Sequence, residues 1–341
     1  MLWNDRLFAS VPLAPVWLGL ALALLLLGLF LALMWLTGLL TEFLASDTQV
    51  WENRDARLGV LLILFAAGLP TVRRYAALGA RANYEALRPL LGGEASDSRL
   101  APRALDTRTV RGARTAGAIG LAIMPLIGLM VDRDPALYAT REYWGPAQMW
   151  VWSIGLIVAW NAGRFMYESL DDARCFSTLA AHLRDLNLLN LEPLSPFARQ
   201  GLLSALPWVI FVSIFALNAI DQGFVWVVTV SAPLSLAGAT TALLLPVRGV
   251  RERIRAAKHE ELRRIAAALR GDAEALRGSA IAKRKEVSVA DLLAYRSFVE
   301  SVREWPFDTP ARLRFAFYLA LPIGSWLGGA LMERVLVVFW D

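Results

Sequence analysis

Small residues recur every four positions in the last apolar stretch of the chain, which covers residues 314–340. They are Ala320, Gly324 and Gly328, and Ser325 lies within the same turns. Small side chains at this spacing form a flat ridge on a helix, so that a second helix can approach closely. In a channel they also leave room beside backbone carbonyls that coordinate ions. The spacing therefore predicts a close helix contact within the bundle, at a subunit interface or along a pore.

Two acidic residues are candidates for ion contact. Both are predicted on the side of the membrane where the last apolar stretch ends. Glu333 follows the small-residue ridge, and Asp221 lies in the short connection between two earlier apolar stretches. A charge inside a bilayer is costly and usually serves a function. We expect Glu333 to contact ions if it is buried. If residues 314–332 complete the span, Glu333 instead lies at the membrane interface.

A second polar group follows the fourth apolar stretch. Asn161, Arg164, Glu168 and Asp172 share one face of a helix, because they are spaced three or four residues apart. Arg164 and Glu168 are spaced for an ion pair, which on an exposed helix contributes only about 0.2–0.5 kcal/mol. We interpret this face as a polar cytoplasmic vestibule, and the alternative is a solvated extension of the helix.

The other reactive side chains predict no enzyme. The chain has one cysteine, Cys175, and two histidines, His182 and His259, and neither histidine lies in a long apolar stretch. No HExxH, GxGxxG or P-loop motif is present. No apolar stretch contains a lysine, which excludes a retinal Schiff base. We therefore expect no catalytic residue, no metal site and no cofactor.

Seven apolar stretches must position these residues. The composition is 57% hydrophobic with a mean hydropathy of +0.46, too apolar for an ordinary soluble domain. The second and third stretches are short, and the other five approach or exceed the roughly 20 residues that cross a bilayer core of about 30 Å. The stretches are 13–41, 58–72, 115–131, 147–163, 201–219, 223–246 and 314–340. The predicted fold is all-α, a polytopic membrane protein with a bundle of about seven transmembrane helices. The number falls to five if the short second and third stretches are re-entrant and do not fully cross.

The distribution of arginine predicts the orientation of the chain. Segment 73–114 carries nine arginines against four acids, and segment 247–314 carries sixteen lysines and arginines against ten acids. Segments 42–57 and 132–146 carry two arginines each. Cytoplasmic loops are enriched in basic residues. Seven alternating spans in the cell (inner) membrane then have a cytoplasmic N-terminus and an external C-terminus.

The chain divides into three parts on this basis. Residues 1–246 form a six-span bundle with a basic cytoplasmic loop at 73–114. Residues 247–313 form a cytoplasmic pair of amphipathic helices, and residues 314–341 form the last span. We expect the basic segments to contact anionic lipid headgroups rather than nucleic acid, because such headgroups attract basic residues near the membrane surface.

Local signals mark several helix ends. Pro70, followed by two arginines, predicts the end of the second span. A charged helix over 249–270 ends at Gly271. Ser288 and Asp291 then have the spacing of an N-terminal capping box, which predicts the start of the second helix of the pair.

These observations favour an ion or small-solute pathway, formed by a homo-oligomeric channel with the last helix near the pore. The alternative is a non-transporting membrane sensor or assembly factor that acts through its cytoplasmic helices. The two hypotheses differ in the surface on which the function depends. A channel depends on the small-residue ridge around Gly324, whereas a sensor depends on the charged face of 249–270.

Overall fold

The computed structural model describes residues 14–41, 54–92, 110–132, 134–184, 186–216, 222–279, 281 and 287–305. Within these residues the chain forms α-helices, short 3-10 turns and one isolated bridge between Leu91 and Leu183, and no strand. The helices are α1 (Pro15–Leu36), α2 (Arg54–Leu87), α3 (Val110–Asp132), α4 (Pro146–Leu179), α5 (Ser195–Ala216), α6 (Gln222–Leu269) and α7 (Val289–Ser301).

Five helical segments in this part of the chain are long and apolar enough to cross a membrane. They are Pro15–Leu36, Ala56–Leu90, Arg111–Leu129, Glu192–Ile214 and Thr229–Leu269. This confirms the all-α fold and agrees with a multi-pass membrane protein. The predicted number of seven spans is not confirmed. The last predicted span, 314–340, lies outside the described residues, and the predicted span 147–163 in α4 is not among the five.

The composition of α4 explains its absence from that group. Its apolar part is interrupted by Gln148, Trp150, Trp152, Trp160 and Asn161, which lower its mean hydropathy. The helix also lies at the centre of the bundle, in contact with α1, α2, α3, α5 and α6. A helix that packs against five others needs an apolar surface only on the side that it leaves exposed, which in α4 carries Met149, Leu156 and Ile157.

Successive helices run in opposite directions. In α1 and α2, Gly19 lies against Thr71, and Phe30 lies against Gly59. The same reversal relates α3 to α4 and α5 to α6, through the contacts Gly117–Trp160, Gly128–Trp152, Gly201–Leu243 and Gly238–Trp208. The C-terminal parts of α2, α4 and α6 consequently share one end of the bundle. We call it the basic end, because the arginine-rich segments begin there.

Helix α2 continues past the predicted end of the second span. It passes through Pro70 to Leu87, so residues 73–87 of the predicted basic loop are helical. Tyr84 and Leu87 are buried against other helices, and this packing outweighs the local effect of the proline. Membrane helices tolerate an internal proline where neighbouring groups compensate for the lost hydrogen bond.

Helix α6 also continues past its prolines. It passes through Pro233 and Pro246 and contains 48 residues. At about 1.5 Å per residue it is about 72 Å long, more than twice the roughly 30 Å thickness of a bilayer core. The helix therefore runs without interruption across residue 246, the predicted boundary between the bundle and the cytoplasmic segment.

Two main hydrophobic cores lie along the bundle. The span-level core joins α1, α2 and α4, and it includes Phe30, Met34, Ile63, Phe65, Leu69, Trp150, Ile154, Val158 and Phe165. The basic-end core joins α2, α4, α5, α6 and α7, and it includes Tyr84, Leu87, Phe176, Leu179, Phe197, Val250, Ile254, Ile265, Leu292 and Val299. The helices extend beyond their apolar lengths, and these extensions build the second core.

Helix α7 packs antiparallel to the end of α6. Its capping box is confirmed, with Ser288 and Asp291 each bonded to the other's backbone N–H. The Tyr295 hydroxyl donates to Glu261 of α6 at 2.9 Å. At the other end of α7, Lys258 Nζ donates to the carbonyl oxygen of Glu300 at 2.6 Å. The chain thus returns toward the apolar part of α6.

Only part of the apolar face of α7 is packed. Leu292 and Val299 are buried in the basic-end core, whereas Val289, Leu293 and Phe298 are exposed. The structure divides them because α6 covers only one side of this short helix.

Candidate functional site

The predicted polar face of α4 lies where the span-level core meets the basic-end core. Arg164, Glu168 and Asp172 are one turn apart. Arg164 is 5% exposed and Asp172 is 9% exposed, so the structure places both among the buried residues. Asn161, the fourth predicted residue, donates from Nδ2 to the carbonyl oxygen of Ile157 in its own helix at 2.8 Å.

Glu168 is bonded to two arginines. The predicted pair is present, with Arg164 Nη2 3.4 Å from Glu168 Oε1. The closer partner is Arg73 of α2, whose Nε and Nη2 lie 2.5 and 3.0 Å from the two carboxylate oxygens. Two parallel hydrogen bonds between a guanidinium and a carboxylate make a strong and directional contact. This carboxylate therefore fixes α4 to α2.

The charges of this cluster are balanced. Arg73 and Arg164 carry two positive charges, and Glu168 and Asp172 carry two negative charges. Charged groups next to a bilayer are tolerated when they face protein and pair with one another. Removal of one partner from a buried ion pair costs about 3–5 kcal/mol, since it leaves the other charge buried. Glu168 itself is only partly buried, with 20% of its side chain exposed.

A second group of polar contacts lies beside it and connects α2, α4 and α5. The indole N–H of Trp208 donates to Ser169 Oγ at 2.9 Å. The Asn83 amide donates to Gln200 Oε1 at 3.1 Å, and the Gln200 amide donates to Ser204 Oγ at 3.3 Å. Gln200 is 2% exposed. We call the two groups together the polar junction. Its residues are Arg73, Asn83, Arg164, Glu168, Ser169, Asp172, Gln200, Ser204 and Trp208.

The contacts of the polar junction hold helices together. Its polar groups bond across three helices, and buried polar groups of this kind fix one arrangement of the elements that carry them. In the described part of the chain, no group of three or more His, Cys, Asp or Glu residues is placed to hold a metal ion. The junction therefore joins the two cores through directional bonds.

The remaining predicted site residues cannot be placed in this arrangement. Asp221 and the group Ala320, Gly324, Ser325, Gly328 and Glu333 lie outside the described residues. The close helix contact and the ion contact that they suggest stay predictions.

A small-residue contact that we had not predicted lies between α3 and α4. A Cβ atom added at Gly120 would collide with the carbonyl oxygen of Ala159, and one added at Gly163 would collide with that of Ala116. The signal was present in the sequence, because both helices have small residues four apart at this place. Arg73 gave no such signal as a partner of Glu168, since 95 residues separate them.

Comparison with known proteins gives no relative. No protein-family model and no curated protein matches the sequence, and no solved structure matches the fold.

Proposed function

We propose that this protein is a non-transporting membrane sensor or assembly factor, which engages a partner in the cytoplasm through the helices that enclose its basic-end core. The observation that carries the proposal is the basic-end core itself. Phe176, Phe197, Ile254 and Ile265 are each fully buried there, although they lie on helices that extend from the apolar bundle. A bundle that only spans the membrane does not need a second core of this size.

The contacts along the bundle support a rigid connection between the two cores. The polar junction fixes α2, α4 and α5 to one another, and α6 runs through both levels as one helix. Within this proposal a change in the membrane part reaches the basic end through these helices. Such coupling requires an element that both sites influence, and α6 is that element.

The surface of α7 supports partner binding. Val289 and Leu293 lie one turn apart and are 65% and 51% exposed. The ion pair between Arg296 and Glu300, with a distance of 2.9 Å, follows them on the same side of the helix. A partner with an apolar helix face bordered by charges complements this surface, because amphipathic helices bind through such spaced apolar residues.

The position of the basic residues supports the proposed orientation. Arg248 and Arg255 are exposed on α6 just beyond its apolar part. Arg251 lies 4.6 Å from the ring centre of Trp305, and tryptophan favours the membrane interface. We propose that these residues contact anionic lipid headgroups at the cytoplasmic surface, each worth about 1 kcal/mol near the membrane.

Site-specific photo-crosslinking tests the proposal. A photoreactive amino acid is placed at Leu293 in the full chain, in intact membranes. The matched control carries it at Leu189, which is 53% exposed on the same end of the molecule. We expect one discrete protein adduct from position 293 that position 189 does not give, and we expect Leu293→Asp to prevent partner binding to the purified protein.

Two results would contradict this assignment. Equal adducts at both positions would indicate random collisions with abundant proteins. An adduct of twice the chain's own mass would place a second copy on α7, which supports a homo-oligomer in place of a partner platform.

The second candidate is a homo-oligomeric channel for ions or small solutes. Pro125, Pro207 and Pro233 within α3, α5 and α6 favour it, because each removes one backbone hydrogen bond from a continuous helix, and backbone carbonyls freed in this way can contribute to an ion site. Ion flux into liposomes, compared between the wild type and Gly324→Leu at equal incorporation, tests it. Flux that the substitution abolishes would support the channel. If a panel of common ions gives no flux, the partner platform is favoured.

A further inference from the structure

An apolar crevice opens on the side of the bundle, with α4 as its floor and α2 and α3 as its walls. Its volume is about 370 Å³. Leu62 and Phe65 contribute from α2, and Ile119 and Ile123 contribute from α3. Ile119 and Ile123 are 56% and 45% exposed. Because both walls belong to segments that can cross a membrane, the medium that reaches this crevice is the hydrocarbon of lipid chains.

One end of the crevice is polar. Asp132, Tyr143, Gln148 and Trp152 line it. The hydroxyls of Tyr138 and Tyr143 each donate to Asp132 Oδ2 at 2.9 Å. Burial raises the pKa values of both tyrosines, so their phenols keep their protons and continue to donate to the carboxylate.

Aromatic rings surround this carboxylate. The ring centres of Tyr138 and Tyr143 are 4.8 Å apart, and those of Tyr138 and Trp152 are 5.8 Å apart. Trp144 adds a further ring, 6.0 Å from that of Trp152. Aromatic faces attract cations, and tyrosine and tryptophan favour the level of lipid headgroups. The carboxylate and the aromatic rings of the polar end therefore favour contact with a cationic group.

We propose that the crevice binds one aminophospholipid, with an acyl chain against α2 and α3 and its primary ammonium group beside Asp132. The shape and the charge both select this occupant. The crevice is apolar along its length and carries a carboxylate at one end, which matches an amphiphile whose headgroup ends in an ammonium group. A primary ammonium has N–H donors that a carboxylate accepts, whereas a quaternary ammonium has none.

Native mass spectrometry of the full chain tests the proposal. The protein is released from nanodiscs that contain equal parts of phosphatidylethanolamine, phosphatidylcholine and phosphatidylglycerol, and the retained lipid is identified. Ile123→Trp fills the crevice. Its matched control is Ile157→Trp, since Ile157 is 46% exposed and lies outside the crevice. Asp132→Asn removes the charge, and its control is Glu142→Gln, an exposed carboxylate in the connection that follows α3.

We expect the wild type to retain one phosphatidylethanolamine, favoured over phosphatidylglycerol by about tenfold, as one well-placed charge contact allows. Ile123→Trp should lower the retention of every lipid, and Asp132→Asn should lower only the headgroup preference. Equal retention of the three lipids by the wild type would overturn the headgroup assignment, as would an equal preference for phosphatidylcholine. Equal loss in both tryptophan variants, or a dimer in place of bound lipid, would overturn the crevice assignment.

Discussion

The span-level core and the basic-end core belong to the same helices, but they are built for different solvents. In α1, only 11% of the apolar segment is buried, and Trp17 and Leu25 point outward. At the basic end, large apolar side chains such as Phe176 and Phe197 are fully buried, and the surface carries ion pairs such as Arg248–Glu252. Water drives apolar side chains together, whereas lipid does not, since lipid chains are as apolar as leucine.

The two regions also differ in the contacts that hold their helices together. Within the span-level region, α3 and α4 approach through Gly120 and Gly163, so close backbone packing adds to side-chain burial. At the basic end, Phe176 and Phe197 meet edge to face with ring centres 6.3 Å apart. The polar junction lies between the two regions and connects them. Four substitutions separate these contributions.

The largest loss of stability is expected from the basic-end core. Phe197→Ala removes a fully buried ring and should lower the free energy of unfolding by about 3–5 kcal/mol. Leu25→Ala is the control, because Leu25 is 69% exposed and its loss should cost less than about 0.5 kcal/mol. Denaturant unfolding in detergent, followed by circular dichroism, gives both values. Similar losses would mean that the two regions do not differ as described.

The next largest effect is expected at the polar junction. Glu168→Gln leaves Arg73 and Arg164 without their shared carboxylate and should cost about 2–3 kcal/mol, since hydrogen bonds to charged groups are among the stronger ones. Glu85→Gln is the matched control, with an Arg81 partner at 2.9 Å and both side chains exposed. It should cost less than about 1 kcal/mol. The junction has no special role if thermal unfolding detects no difference between the two variants.

A smaller effect is expected where α3 meets α4. Gly163→Val would force the two backbones apart and should cost about 1–3 kcal/mol, as overpacking of a tight contact does. Gly28→Val serves as the control, because no atom lies within 4 Å of a Cβ at Gly28. The melting temperatures of the two variants in the same detergent make the comparison. Equal melting temperatures would argue against backbone packing in this region.

The smallest effect concerns the contact between α6 and α7. Burial, and after it the hydrogen bond to Glu261, raises the pKa of Tyr295 to about 12. The unfolded value is about 10, so the stability that this phenol contributes is present below pH ~10 and is lost as the pH rises toward 12. Tyr295→Phe should cost about 1 kcal/mol at pH 8. The difference from the wild type should shrink by pH 11 in thermal unfolding, and a constant difference would exclude this titration.

Local features of the fold were predictable from the sequence. The capping box of Ser288 and Asp291 and the pair Arg164–Glu168 involve residues three or four positions apart, so helix geometry alone places them together. The apolar segments of α1 and α3, of which only 11% is buried in each, were predictable for a similar reason. Their composition reflects contact with lipid, which needs no knowledge of neighbouring helices.

Features that depend on distant residues were not predictable. Whether α2 stops at Pro70 depends on the buried positions that Tyr84 and Leu87 find between other helices. The partner of Glu168 in α2 is equally distant along the chain. The candidate site could be recognised only as a polar face of α4. A sequence pattern shows that a face is polar, but it does not show which helix covers that face.

The length of α6 converts a small tilt of the helix into a large displacement of its C-terminal end. About 35 Å of the helix extends from Pro246 to Leu269, at about 1.5 Å per residue. A tilt of about 10° at the level of the proline moves the far end by about 6 Å, roughly the length of one helical turn. Helix α7 is attached to this arm through Lys258 and Glu261 and travels with it. A small tilt of α6 within the membrane therefore displaces its C-terminal end and α7 far enough to cover or uncover a side chain.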